Sequence, residues 1–399
     1  MFRHLNLKRK RKLYFKIAII GAFILVGIAL LTGCVQGMQP IGWSGIAIND
    51  NGTAYTGSKE GRLVAVNLNN NTVTARAEPL KAPASGGTSC TSGGGSLGGA
   101  CGGSTPAVAI YGTPVSANTA GFGNLVYIAG YNGKVFAYDA SSLQQRWVFP
   151  VDGNLKPIVS SIFIADGTLY FGCTDSNLYA LDTTTGALKW QFATEGEIWS
   201  SPIVDNNIVF IASFDKNIYA VDAATGKEKW RFTTGANNVS TPLAVNGTLY
   251  IGSLDRNLYA LNEADGKFIW KFTGGNWFWA RPLLAGGVIY APCLDSKIYV
   301  LDAKSGNRVA SFDAGGQVAS WPVLIDSQVI AATTNGKLLG LDTTSTASGV
   351  RQIATIPENV TAPLSVFSNK IYINGPDNNI YAYDIASGSK VTTIPLTSK

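Results

Sequence analysis

Apolar residues form two kinds of run along this chain. Near the start, Ile17 to Leu31 is an unbroken apolar stretch. Beyond it, apolar and aromatic residues come in short paired blocks, each pair split by a polar turn. The clearest pairs align without gaps at a 40-residue step, over 169–190, 209–230, 249–270 and 289–310. Weaker copies end at Asp139, Asp342 and Asp384, and the most degenerate ends at Asn67. An Asp or Asn marker thus closes the second block at 67, 139, 182, 222, 262, 302, 342 and 384, which makes eight copies.

Each copy predicts a hairpin. The residues between blocks are Glu60-Gly61, Asn132-Gly133, Asp175-Ser176, Asp215-Lys216, Asp255-Arg256, Asp295-Ser296, Asn335-Gly336 and Asp377-Asn378. Asn-Gly and its relatives tolerate the positive φ of a tight hairpin. A second turn, Asp182 to Gly186 or Asp222 to Gly226, leads to a further strand ending in Trp. Ahead of most hairpins lies another short strand marked by Pro114, Pro202, Pro242, Pro282, Pro322 or Pro363. Proline lacks an N–H for the ladder, so it suits strand starts and edges. Four short strands per repeat, arranged radially, predict an all-β fold: an eight-bladed β-propeller of four-stranded antiparallel blades over 42–399. One blade cannot bury both its faces, so neighbours must stack and the ring must close. Closure is expected blade against blade, or by residues near 36–48 joining the last strand set. Trp147, Trp190, Trp230 and Trp270, each eight residues after a marker, are expected to dock one blade on the next.

The unit Ala-x-Asp-x-x-Thr-Gly-x-x-x-Trp, at 180–190 and 220–230, resembles the pyrroloquinoline-quinone (PQQ) repeat. That propeller family includes quinoprotein alcohol dehydrogenases and BamB-like outer-membrane assembly lipoproteins. The resemblance implies one of two activities. An oxidoreductase would need PQQ and Ca²⁺ in a central funnel, a catalytic Asp and usually a vicinal Cys-Cys disulfide. This sequence has no Cys-Cys pair. Its carboxylates recur at turn positions, where turn chemistry explains Asp. A BamB-like scaffold would need only an anchored ring that binds other extracytoplasmic or membrane proteins, with no cofactor. An extracellular ligand-sensing or adhesion module is a further alternative.

Composition sharpens the choice. The only histidine is His4. Without it there is no Ser-His-Asp or Cys-His machinery and no imidazole metal ligand. No catalytic residue and no metal site is therefore assigned. Of the 31 basic residues seven lie in 1–33, where no acidic residue occurs, leaving 24 basic against 25 acidic in the remainder. The net charge of +6 belongs to the N-terminus and gives no reason to expect a nucleic-acid partner. A basic region (Lys8 to Lys12), an apolar run and Leu31-Thr32-Gly33-Cys34 describe a secretory signal over 1–33. The last four residues resemble a lipobox, which implies lipidation of Cys34, a short tether over 34–41 and a propeller held at a cell or outer membrane, facing periplasm or exterior. An uncleaved anchor helix is the alternative. The ring is expected to be monomeric.

Departures from the repeat are where a site would be grafted. A Gly/Ser-rich insert at about 81–108 carries Cys90 and Cys101, a candidate disulfide in an oxidising compartment, or else two free thiols. Cys173 and Cys293 occupy the small-residue position held elsewhere by Ser213 and Ser253, and read as buried. The sharpest irregularity is Trp277-Phe278-Trp279-Ala280-Arg281 at the start of an innermost strand. With Trp199 and Trp321 in related registers, these residues are a candidate binding site at the channel mouth, Trp and Arg being frequent anchors of interfaces. The alternative is that they fill the channel.

Overall fold

A computed structural model describes residues 44–81, 107–119, 121, 123–344, 349–357 and 359–397, all within one compact unit. Cys34, Cys90 and Cys101 lie outside the described residues.

The chain folds as the repeat predicts: eight sheets, each of four antiparallel strands in sequence order. The blades span 47–76, 115–149, 163–193, 203–233, 243–273, 283–313, 323–355 and 365–395. Blade 4 is typical, with strands Ile203–Asp205, Ile208–Ala212, Asn217–Asp222 and Glu228–Thr233. Its second strand is buried throughout, and in its third only the two end residues are partly exposed. Its fourth strand alternates buried or half-buried with exposed residues. The middle strands are covered on both faces by adjacent blades, so their sequence is a continuous apolar run. The outer strand is half covered, so it keeps a period of two.

Two turn chemistries serve each blade. Strands one and two are joined in blade 4 by Asn206 and Asn207, both at positive φ (46° and 60°), as a primed two-residue hairpin demands. Between strands two and three only the last turn residue is left-handed: Ser176, Lys216, Arg256 and Ser296 have φ of 72°, 75°, 70° and 68°. The Ser213 carbonyl accepts the Lys216 N–H at 3.2 Å, and the Asn217 carbonyl accepts the Ser213 N–H at 3.0 Å. This is a three-residue loop ending in a left-handed residue, which is why Gly fills that last position in the loop ending at Gly133.

The ring closes blade against blade. Ala47–Ile48 pair with the second strand of their own blade, not with the C-terminal set. Val64, Val66 and Leu68 of blade 1 share a core with Tyr372, Ile380 and Ile394 of blade 8. The Asn374 amide donates to the Ser44 carbonyl and the Thr56 hydroxyl, both at 2.9 Å, and the Arg76 guanidinium donates to the Leu396 and Thr397 carbonyls at 3.2 and 3.0 Å.

Candidate functional site

The repeat motif is a clamp between consecutive blades. The indole N–H groups of Trp147, Trp190, Trp230 and Trp270 donate to the carbonyls of Thr183, Ala223, Glu263 and Ala303 in the next blade, at 2.9, 3.0, 2.9 and 3.1 Å. Each ring lies on the next blade's turn glycine. A Cβ on Gly186 or Gly226 would come within 2.7 Å of the Trp147 or Trp190 ring. These glycines also sit at φ of 72° and 71°, so both the conformation and the contact exclude a side chain. Ala180 and Ala220 pair across the strand with Trp190 and Trp230 at the point where the register shifts. The expected docking role of the four tryptophans therefore has a geometry.

The carboxylates of the repeat are occupied in turns. Asp222 accepts from the Thr225 N–H and hydroxyl at 2.9 and 2.8 Å, and these bonds hold its carboxyl below the usual range. Asp255 accepts from the Asn257 N–H, the Tyr259 hydroxyl and, across the blade boundary, the Gly235 N–H at 2.9, 2.6 and 2.8 Å. Burial first, then this carboxylate, push the Tyr259 hydroxyl up to about 12. Asp215 and Asp295 repeat the arrangement with Tyr219 and Tyr299. Cys173 and Cys293 are fully buried, and their thiols donate to the Lys156 and Asn276 carbonyls at 3.3 Å.

Around the axis, inner-strand hydroxyls form a relay from blade to blade. The Thr113 N–H donates to Ser161 Oγ, Ser161 N–H to Ser201 Oγ, and Ser201 N–H to Thr241 Oγ1, at 3.0, 2.9 and 3.2 Å. Inside this ring Trp199, Trp279 and Trp321 line, with Tyr111 and Val239, a cavity of about 80 Å³. The Trp199 indole donates to Glu197 at 2.8 Å and packs 4.9 Å from the Phe214 ring. Arg281 follows Thr241 in register, and its guanidinium carbon lies 6.0 Å from the Trp321 ring centre. Trp277 stands half-buried before the strand, and its carbonyl accepts the Leu294 N–H at 3.0 Å.

Phe278 is a correction. It is 1 % exposed and packs on Phe272 and Tyr299 in the core between blades, not at the channel. Register explains this: in the segment entering the inner strand, Phe278 takes the place of the equally buried Ile198 and Val318. The sequence candidates therefore divide into a plug (Trp199, Trp279, Trp321), a neighbouring cation (Arg281), an outer residue (Trp277) and a core residue (Phe278).

The cavity beside the three tryptophans is small for a group the size of PQQ. Sites for molecules of that size occupy roughly 300–1,000 Å³, against about 80 Å³ here. Among the described residues no cluster of three acidic, Cys or His side chains is placed to hold a metal. A wider groove of about 890 Å³, lined by Leu80, Lys81, Lys134, Phe136 and Tyr138 among others, lies between blades 1 and 2, away from the axis.

One titratable group escaped the sequence reading. Glu263 is 2 % exposed, where other copies have Thr183, Ala223 or Ala303. The Asn206 amide donates to its Oε1 at 3.0 Å, while Oε2 has no hydrogen-bond partner within bonding distance among the described residues. Burial, reinforced by the Asp205 carboxylate, raises its pKa. The folded state thus holds a proton that the unfolded chain releases near pH 4.3. This contribution to stability is complete below that pH and is lost as pH rises through the raised folded value. Glu263→Gln should therefore gain stability relative to wild type as pH rises through this window, the two being alike at the acid end. Melting temperatures against pH check this, and parallel curves would refute it.

The eight four-stranded sheets and their repeated Asp-x-x-Thr-Gly-x-x-x-Trp unit define an eight-bladed propeller of the PQQ-repeat class. The sequence profile of the family described as outer membrane protein assembly factor BamB matches residues 82–198, 159–245 and 238–398, and the chain belongs to that family. The outer membrane protein assembly factor BamB of Burkholderia pseudomallei (strain K96243) is 35% identical over 88 residues, which span 22% of this chain and 22% of that protein. The match thus covers about a fifth of that relative's length. Among solved structures, BamB from Moraxella catarrhalis superposes with a TM-score of 0.64 at 17% identity, covering 87% of this chain and 95% of that one. The computationally designed Ika8 protein gives 0.66 at 12% identity, covering 88% and 98%. At such identities these likenesses establish the fold alone.

Proposed function

We propose that this chain is a lipid-anchored, extracytoplasmic scaffold that binds other membrane or exported proteins, as a BamB-like assembly factor rather than an oxidoreductase. The observation that supports the reading is the narrow axis. Three half-buried tryptophans line its cavity of about 80 Å³, below the roughly 300–1,000 Å³ of sites that hold a bound cofactor. What remains for recognition is the loop surface. Phe214, Leu254 and Leu294 stand half-buried at successive hairpin tips, beside the loops entering the inner strands. Apolar side chains that are only partly covered, on rigid hairpins, suit the anchoring of a partner segment. Family membership supports the assembly role, and the Leu31–Cys34 sequence supports the anchor. In-cell crosslinking followed by purification of the tethered protein from its own membranes tests the reading. Recovery of β-barrel assembly components is expected. Recovery of a sensor or surface polymer in their place would overturn it.

A further inference from the structure

The boundary between blades 1 and 2 lacks the aromatic pair that seals its neighbours. In blades 2 to 5 the outer strand carries Trp-x-Phe, at 147–149, 190–192, 230–232 and 270–272. The Phe of each pair packs on a ring of the next blade. Phe149, Phe192, Phe232 and Phe272 lie 6.1, 5.4, 5.5 and 4.8 Å from Tyr179, Tyr219, Tyr259 and Tyr299. In blade 1 the same register holds Ala75 and Ala77, since Ala75 pairs with Ala65 as Trp230 pairs with Ala220. The place of the indole is refilled. Leu143 stands where other blades have the turn glycine, at φ 54°, and joins Ala75 in one core cluster. The Tyr55 hydroxyl donates to the Ala140 carbonyl at 3.0 Å, as the indoles do in the other blades. The place of the Phe receives no ring. Phe136 takes the position of Tyr179, and its one ring contact among the described residues is Tyr138 of its own strand, at 6.1 Å. Blades 6 and 8 also lack the Trp, but Phe312 and Ile394 keep the second position filled, and in blade 7 Ile353 is buried beside it. At the boundary of blades 1 and 2 a groove of about 890 Å³ opens instead, with Ala77, Leu80, Phe136 and Val148 in its walls.

We propose that this groove receives an extended segment of a partner protein through one aromatic side chain, set between Ala77 and Phe136. The molecule itself supplies the template for the occupant. The four boundaries that follow each place a phenylalanine there, against the ring equivalent to Phe136. An aromatic ring brings a large apolar area and a favourable edge or stacked contact with Phe136. Aromatic anchors in such pockets dominate the energetics of interfaces. The adjoining residues 82–106 contain no aromatic side chain, so that segment does not supply the ring. The rim carries Arg76, Lys81 and Lys134 against Glu78, which favours a segment with acidic flanks. The surface rests on the scaffold reading for its partner, but it lies on blades 1 and 2, whereas Phe214, Leu254 and Leu294 lie on blades 4 to 6.

The test uses the full-length chain in detergent and a photoreactive probe. The probe is an acetylated pentapeptide amide, Glu-Thr-X-Thr-Glu, in which X is 4-benzoylphenylalanine. Crosslinked positions are read by mass mapping. Wild type should be labelled saturably at Leu80, Phe136 or Val148. An excess of the same peptide with Phe at X should suppress the labelling at concentrations where the Ala peptide does not. Ala77→Phe restores the ring that the other boundaries have. It should cut labelling at least tenfold and melt no lower than wild type. Should this variant melt lower, the labelled positions and the Phe-against-Ala competition on wild type decide alone. No saturable labelling of the groove, equal suppression by the Phe and Ala peptides, or undiminished labelling of a folded Ala77→Phe would overturn the proposal. Labelling confined to Phe214, Leu254 or Leu294 would overturn the groove and leave the scaffold reading standing. A labelled groove with no assembly component recovered in cells would do the reverse.

Discussion

Trp230→Ala is expected to lower stability by about 3–5 kcal/mol, the range for a buried aromatic truncated to Ala. The indole is 8 % exposed and belongs to the core that joins blades 4 and 5. It packs 5.8 Å from the Phe210 ring and against Gly266 of the next blade. The variant therefore opens a void at a boundary between blades, where no element of one blade alone can refill it. A finer comparison separates hydrogen bonding from packing. The Ala223 carbonyl accepts both the Trp190 indole at 3.0 Å and the Tyr170 hydroxyl at 3.3 Å. At the next boundary the residue equivalent to Tyr170 is Phe210, and Trp230 is the only side-chain donor defined for the Glu263 carbonyl. Trp230→Phe thus leaves a buried carbonyl without its donor, while Trp190→Phe leaves Ala223 with one. The first should cost about 1 kcal/mol more than the second. Urea midpoints at unchanged slope measure both differences. A loss below about 1 kcal/mol for Trp230→Ala would contradict the clamp.

Cys34→Ser should move the protein quantitatively from the membrane to the soluble extracytoplasmic fraction. Each buried acyl methylene contributes about 0.8 kcal/mol, so two or three chains hold firmly and their absence leaves no comparable anchor. On the proposed anchor, cleavage before Cys34 would remove the seven basic residues of 1–33 and leave 24 basic against 25 acidic residues, so charge would offer no substitute. Membrane fractions washed with carbonate give the readout, with the wild-type chain as reference. A variant that stays in the washed membranes would favour an uncleaved anchor helix over 17–31.

The fold was legible because one physical unit is written eight times. The Asp or Asn marker recurs in all eight copies, and in blades 2 to 5 the Trp adds the same clamp to the next blade. Closure was less legible. The first and last blades carry no Trp clamp, and the Asn374 and Arg76 contacts join residues more than 300 positions apart. Among the site candidates, Phe278 was misplaced because the aromatic cluster was read as a block; the period of two separates it from Trp277 and Trp279. Glu263 was overlooked because a charged residue beside a turn looks solvated, and only the stacked neighbour makes it buried. Trp199, Trp279 and Trp321 were legible as inner-strand aromatics from their shared register, and the structure brings them to one cavity of about 80 Å³.

The most direct test of a filled, non-catalytic axis is reconstitution. Full-length protein is incubated with PQQ and Ca²⁺, separated from free quinone, and assayed for quinone absorbance and for dye reduction with alcohols. The plugged channel predicts no retained quinone and no dye reduction. One equivalent of bound quinone, lost again on Trp279→Arg, would place a cofactor on the axis and contradict the scaffold reading.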